Sequence, residues 1–68
     1  MDALHQLDAT AGLIDAHALA PILGISTKLI YALASRGEIP HYRMGRVVRF
    51  SPAEVAAWLR ERSCGRLR

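Results

Sequence analysis

Apolar residues recur with helical spacing in a segment that begins just after Asp15. They stand at i, i+3, i+4 and i+7 and are Ala16, Leu19, Ala20 and Leu23. This spacing predicts an amphipathic helix with one buried face. Asp15 supplies the N-cap oxygen, and Gly24 ends the helix because glycine readily adopts the left-handed backbone conformation. Pro21 lies beyond the first turn and has no amide donor, so we expect it to strain or kink this helix.

A second helix is predicted from Thr27 to about Arg36, with Ser26 as its N-cap and Gly37 after its end. Only one residue separates Gly24 from Ser26, so the two helices cannot lie antiparallel. A short turn that contains glycine is typical of a helix-turn-helix, whose second helix lies in the major groove of DNA. The residues predicted to face inward are Ile30, Leu33 and Ala34. Those predicted to face outward are Thr27, Lys28, Tyr31 and Ser35.

The apolar period then changes to two, which indicates β-strands on either side of Gly45-Arg46. A two-residue connection that begins with glycine suits a type II′ turn. Simple alternation places the apolar side chains Tyr42, Met44, Val48 and Phe50 on one face. It places His41, Arg43 and Arg49 on the other face, with Arg46 at the tip. Because so small a hairpin is unstable alone, we expect its apolar face to pack on the helices.

Residues 51–54, Ser-Pro-Ala-Glu, form a capping box with proline at the first helical position. They predict a third helix, in which Val55, Trp58 and Leu59 close the core. The first twelve residues carry two leucines at helical spacing but end in Ala-Thr-Ala-Gly. We therefore expect a flexible leader over 1–12, a folded domain over 13–62 and a basic tail over 63–68.

The length and charge of the chain limit the classes of function that it can have. The 68 residues carry a net charge of +3 and are 51% apolar, which favours one small folded domain over disorder. A deep catalytic pocket would take up most of its core, so we do not expect an enzyme. Residues 1–34 hold one lysine against three aspartates, a net −2, whereas residues 35–68 hold eight arginines against three glutamates, a net +5. This asymmetry favours a polyanion bound by one face.

Other chemistries lack the residues they need. The single Cys64 cannot form an internal disulfide, and no basic leader or long apolar run stands at the N-terminus. The histidines and the cysteine have no close spacing of the kind found in metal sites, and no glycine-rich phosphate loop occurs. We expect a cytoplasmic protein with no metal, no cofactor and no membrane partner.

Four motifs together carry a resemblance. They are Gly-Ile-Ser-Thr-Lys-Leu-Ile-Tyr-Ala-Leu at 24–33, Gly-Glu-Ile-Pro at 37–40, Arg-Met-Gly-Arg-Val-Val-Arg-Phe at 43–50 and Glu-Val-Ala-Ala-Trp-Leu at 54–59. In this order they resemble the excisionase-type, MerR-like and AlpA-like winged helix-turn-helix family, over roughly residues 13 to 60. The resemblance implies a mainly α fold with a small β-hairpin. It also implies DNA binding, as in phage and plasmid excisionases, which bend DNA and direct an integrase toward excision, or as in small AlpA-like regulators.

The predicted DNA-contacting residues lie on the second helix and on the hairpin, or wing. They are Ser26, Thr27, Lys28, Tyr31, Arg36, Arg43, Arg46 and Arg49. Short donors near the start of a recognition helix read base edges, whereas arginines on a wing suit the DNA backbone and a narrow minor groove. The alternative interpretations are a solvated helix face and strand arginines that keep a sheet edge soluble.

The chain also departs from the family pattern. Ala32 follows the helix tyrosine, and Val47 follows the Gly-Arg of the wing, where basic residues are common in the family. The resemblance therefore implies fewer phosphate contacts than usual, for which Lys28, Arg36 and the tail arginines compensate.

Three functions stay open. The first is an excisionase, or recombination directionality factor, that binds tandem sites and bends DNA for an integrase; the second is a small AlpA-like transcriptional regulator. The third is a protein-interaction adaptor that presents the basic face to an acidic protein. Leu29 or Ile22 would join copies on adjacent sites unless they belong to the core. About ten residues follow Trp58, so we expect no effector pocket or coiled coil, in a prokaryotic or phage-encoded, nucleoid-associated protein.

Overall fold

Side-chain caps start the two helices of the predicted helix-turn-helix. The Asp15 carboxylate accepts a hydrogen bond from the Ala18 amide at 2.9 Å, and the Ser26 hydroxyl accepts one from the Leu29 amide at 3.0 Å. Gly24 follows the first of these helices with φ +72° and donates to the Ala20 carbonyl at 2.8 Å. Each cap stands where the sequence predicts it, because capping is a local interaction over three residues.

The computed structural model describes residues 3–63, and the side chain of residue 63 is not included. In this part of the chain the elements are α1 (Ala3–Ala9), α2 (Ala16–Leu23), α3 (Thr27–Ser35), β1 (Tyr42–Met44), β2 (Val47–Arg49) and α4 (Pro52–Ser63). The two strands form an antiparallel hairpin. The predicted fold class, mainly α with a small hairpin in a winged helix-turn-helix, is confirmed.

Helices α2 and α3 meet at an angle of 108°, within the range typical of a helix-turn-helix. α2 is helical through Pro21 to Leu23. The inward positions of α3 are as predicted, since Ile30 and Ala34 are buried and Leu33 packs against the core. In the described part of the chain no single helix has the length and hydropathy of a membrane span, and α2 and α3 reach those values only as a bent pair.

The buried core draws one or more residues from every helix. Its members are Leu7, Ala16, Leu19, Ala20, Ile30, Ala34, Ile39, Phe50, Val55 and Ala56. Trp58 and Leu59 are half-buried and pack against this cluster, as predicted for α4. Helix α4 begins with Pro52, and the Ser51 hydroxyl accepts from the Glu54 amide at 3.4 Å.

The N-terminal segment differs from the flexible leader that was expected over 1–12. Residues Ala3–Ala9 form helix α1, which packs on α4 and α2 and buries Leu7 to 1% exposure. Asp8 also forms an ion pair with Arg60 of α4 at 2.8 Å. A seven-residue helix is marginal by itself, so its stability comes from an apolar surface that the rest of the fold supplies.

The hairpin corrects the predicted assignment of faces. The register pairs Tyr42 with Arg49, Arg43 with Val48 and Met44 with Val47. Directly opposed residues in an antiparallel pair lie on the same face. Across the two-residue turn, even positions of β1 therefore lie beside odd positions of β2. The prediction continued the alternation of β1 through the turn into β2 and so missed this reversal. The three wing arginines were expected to share one face, and they do not.

The turn itself follows the prediction. Gly45 has φ +67°, and among the described residues only glycines have positive φ, so Arg46 does not. A positive φ at the first central residue alone agrees with a type II′ turn and excludes a type I′ turn, which needs positive φ at both central residues. Glycine at position 45 therefore places the Arg46 side chain at the hairpin tip.

The burial of the hairpin is also unlike the prediction. Val48 packs against the core and Phe50 is fully buried, as expected. Tyr42 and Met44 were expected to pack inward with them, yet they are 43% and 52% exposed. Their face of the hairpin, with Val47, lies open because the register turns it away from the core.

Candidate nucleic-acid interface

The N-terminal half of α3 offers the residues predicted to contact DNA bases. Lys28 is exposed, Thr27 is half-buried, and Tyr31 is 44% exposed one turn further along. Ser26 uses its hydroxyl oxygen as the helix cap, which leaves the hydroxyl proton free to donate. The helix dipole adds positive potential at this end. The arrangement is suited to an anionic ligand that approaches the start of α3.

Arg36 lies at the other end of α3. It stands ten residues after Ser26, which is about 15 Å along the helix axis. Its guanidinium is 3.3 Å from the Glu38 carboxylate, and both side chains are about half exposed. This ion pair offsets part of the charge of Arg36. Arg36 is therefore outside the cluster formed by Ser26, Thr27, Lys28 and Tyr31.

The three wing arginines occupy three different positions. Arg46 is exposed at the tip, while Arg43 shares a face with Val48 and Arg49 shares the opposite face with Tyr42. Arg49 is half-buried and donates to the Val48 carbonyl at 2.9 Å. The wing thus carries one cation at its tip and one on each of its two faces.

A link between the wing and α4 was missed by the sequence reasoning. The Tyr42 hydroxyl donates to the Glu54 carboxylate at 2.7 Å. This bond, then the negative charge of Glu54, and then burial raise the pKa of Tyr42 above its usual value of 10.0. A capping box directs the glutamate toward the Ser51 backbone, so the local sequence contains no signal for a partner in β1.

A further side-chain contact lies within α4. The Arg62 guanidinium stacks over the Trp58 ring, 4.6 Å from its centre. Trp58 therefore packs both against the core cluster and against a cation. Arg62 supports the fold by this contact, which joins two residues four positions apart on one helix face.

No group of three or more histidine, cysteine, aspartate or glutamate residues within the described range 3–63 could hold a metal ion. Cys64 and the tail arginines Arg66 and Arg68 lie outside that range. An open groove between α1 and α2 is lined by both polar and apolar side chains. They are His5, Gln6, Ala9, Thr10, Pro21 and Ile22.

Comparison with known proteins agrees with the geometry. A family model described as a helix-turn-helix domain matches residues 15–63. Comparisons with the curated proteins and with the solved structures give no significant match. The matched range contains α2, α3, the hairpin and α4, so it covers the complete winged helix-turn-helix. The chain therefore belongs to the DNA-binding helix-turn-helix family that covers AlpA-like and excisionase-like proteins.

Proposed function

We propose that this chain is a sequence-specific DNA-binding protein of the excisionase type, which binds adjacent sites and bends DNA for an integrase. The observation that carries the proposal is the pairing of an accessible recognition helix with a cationic wing tip. Lys28 and Tyr31 are exposed on α3, and Arg46 is exposed at the hairpin turn. Together they suit a duplex contacted at two neighbouring grooves.

In this proposal α3 enters the major groove with its N-terminal end toward the bases. Lys28 donates to guanine O6 and N7, the acceptors that lysine commonly contacts. Thr27 and Ser26 offer short hydroxyls to base edges or phosphates. Tyr31 lies one turn later and contacts a phosphate or the groove wall.

The wing provides the second contact. Arg46 at the tip enters the minor groove, whose negative potential attracts arginine where the groove is narrow. Arg43 and Arg49 lie on opposite faces of the hairpin. Arg43, on the face of Val48, and the half-buried Arg49, on the open face, would each add a phosphate contact beside the groove that Arg46 enters. These contacts position the protein without specifying sequence.

Binding to tandem sites follows from the small size of the module. A single module buries about 600–1,000 Å² on DNA, which limits its affinity for one site. Leu29 is 41% exposed on α3 and is available to contact a neighbouring copy. Ile22 packs against the core cluster and is a weaker candidate.

The first experiment measures binding of the purified chain to duplex DNA by fluorescence anisotropy. Duplexes with one site and with two adjacent sites separate independent from cooperative binding, and a fluorescence energy-transfer pair at the duplex ends reports bending. Failure of the folded chain to bind any duplex would overturn the proposal. Binding to an acidic protein in its place would favour an adaptor.

The second experiment tests the link to recombination. The neighbouring genes are searched for an integrase, and the chain is added to that enzyme with attachment-site DNA as substrate. The proposal expects excision to rise and integration to fall. Specific duplex binding with no change in either direction would indicate a small transcriptional regulator.

A further inference from the structure

The strand β1 is the outer strand of the wing. On its inner side it pairs with β2, and the residue after β2, Phe50, pairs with Ile14 of the body. The Tyr42 and Met44 side chains of β1 are exposed, and neither belongs to the apolar side chains that pack against the core cluster. Two-stranded hairpins of this length are marginal without such packing. The outer half of the wing therefore needs another attachment.

The bond between Tyr42 and Glu54 supplies such an attachment. Its 2.7 Å length is typical of a hydroxyl that donates to a carboxylate, a charge-assisted bond. Tyr42 begins β1, and Glu54 lies in the first turn of α4, whose next residue, Val55, is fully buried. The rigid start of α4 thus holds the base of the outer strand.

We infer that Glu54 is a positioning residue for DNA binding, because it holds Tyr42 and thereby sets the direction of the wing tip. The inference rests on the proposed function, in which Arg46 contacts DNA. A bent or mobile wing would satisfy the Arg46 contact in only a fraction of molecules. The apparent dissociation constant rises as that competent fraction falls.

Glu54 has a second effect that the test must separate. A carboxylate near phosphates repels them, so removal of its charge by itself strengthens DNA binding. Glu54→Gln and Glu54→Ala both remove the charge, but only glutamine keeps an oxygen that can accept from Tyr42. Their difference therefore measures the hydrogen bond, and Tyr42→Phe measures it again with Glu54 intact. Glu61→Gln is a matched loss of one exposed charge on the same helix.

The expected result has two parts. In the free protein, ¹⁵N order parameters of residues 42–49 fall in Tyr42→Phe and Glu54→Ala from about 0.85 toward about 0.6, and remain high in Glu54→Gln and Glu61→Gln. On duplex DNA, the dissociation constant of Tyr42→Phe rises about threefold, which corresponds to a competent fraction of about one third. The dissociation constant of Glu54→Ala is higher than that of Glu54→Gln by a similar factor. Melting curves recorded alongside verify that each variant is folded.

The same variants made in Arg46→Ala distinguish a positioning role in DNA binding from a merely structural role. In Arg46→Ala the wing tip no longer holds DNA, so Tyr42→Phe should change the dissociation constant by less than about 1.5-fold. An equal effect of Tyr42→Phe with and without Arg46 would overturn the inference. Unchanged order parameters together with intact duplex binding would overturn the inference and leave the proposed function standing. Absence of duplex binding by the folded original chain would overturn the proposed function, and with it the role of Glu54 in affinity.

Discussion

Ile14 and Phe50 exchange two backbone hydrogen bonds, of 2.9 Å from the Ile14 amide and 2.8 Å from the Phe50 amide. The pair joins the segment that enters α2 to the residue that leaves β2. The Phe50 side chain is fully buried beneath it. The base of the wing is thus joined to the segment that enters α2, and Phe50 lies in the same small core as Ile30 and Ala34 of α3.

Replacement of Phe50 by alanine should unfold the protein. Loss of a buried phenylalanine costs about 3–5 kcal/mol, which is comparable to the whole stability of a domain of this size. Circular dichroism in urea measures the change. Met44→Ala is the control, since the side chain is exposed on the same hairpin and should cost less than about 1 kcal/mol. A cooperative, near-normal unfolding transition in Phe50→Ala would contradict the prediction.

Helix α1 should contribute directly to stability. Leu7→Ala removes a side chain that is 1% exposed, so the free energy of unfolding should fall by about 2–5 kcal/mol. Leu13→Ala makes the same chemical change at a side chain that is 50% exposed and should cost within about 0.5 kcal/mol. Thermal or urea unfolding compares the two. If Leu7→Ala cost as little free energy of unfolding as Leu13→Ala, α1 would not stabilise the fold.

DNA binding should weaken steeply as salt rises. About five basic side chains that neutralise phosphates predict a slope of log K against log salt of about −4 to −5. Arg46→Ala should reduce this slope by about one and weaken binding to specific and random duplexes alike. Anisotropy titrations at several salt concentrations measure both quantities. A slope near zero would exclude the electrostatic mechanism.

Lys28 should act on specificity as well as on affinity. Loss of a good contact to a base edge costs about 1–3 kcal/mol of discrimination. Lys28→Ala should therefore weaken binding to the preferred duplex more than to random DNA. A selection from random duplexes, followed by titration of the preferred sequence, measures the ratio. The same ratio in Lys28→Ala and Arg46→Ala would contradict the assignment of Lys28 to the bases.

Tyr42 should ionise above its usual pKa of about 10. The hydrogen bond to Glu54 and the charge of Glu54 both favour the neutral phenol. Because the folded chain holds this proton more tightly than the unfolded chain, the stabilisation is fully present below pH 10 and decreases as pH rises through the folded pKa. The ¹³C shift of the Tyr42 ring measures the titration. The pKa of Tyr42 should move toward its usual value in Glu54→Gln. A titration midpoint at or below 10 in the original chain would contradict the prediction.

The helices at the centre of the fold follow closely from local sequence. Asp15, Ser26 and the two glycines that end α2 and α3 act within a few residues, so their positions could be predicted from the sequence. The apolar spacing of α3 also identified Ile30 and Ala34 as buried. The positions of α3 outside this apolar stripe face outward, which is why Lys28 and Tyr31 were expected at the surface.

The wing shows where local patterns become insufficient. Alternation along one strand is sound, but the faces of two strands are related by the register of their pairing. A two-residue turn from Met44 to Val47 reverses the parity, and this separates Arg43 from Arg49. The Tyr42 and Glu54 side chains are twelve residues apart, so no spacing rule joins them.

The sequence by itself determined the limits of α2 and α3, the start of α4, the glycine turn and the positive charge of the second half, because caps, turns and composition act over short stretches of chain. The tertiary structure decided which weak segments are stable and which side chains meet. α1 is too short to persist alone and is held by α4, and the Tyr42–Glu54 bond joins the wing to that helix across twelve residues of chain. Both depend on surfaces that are created when distant segments pack together.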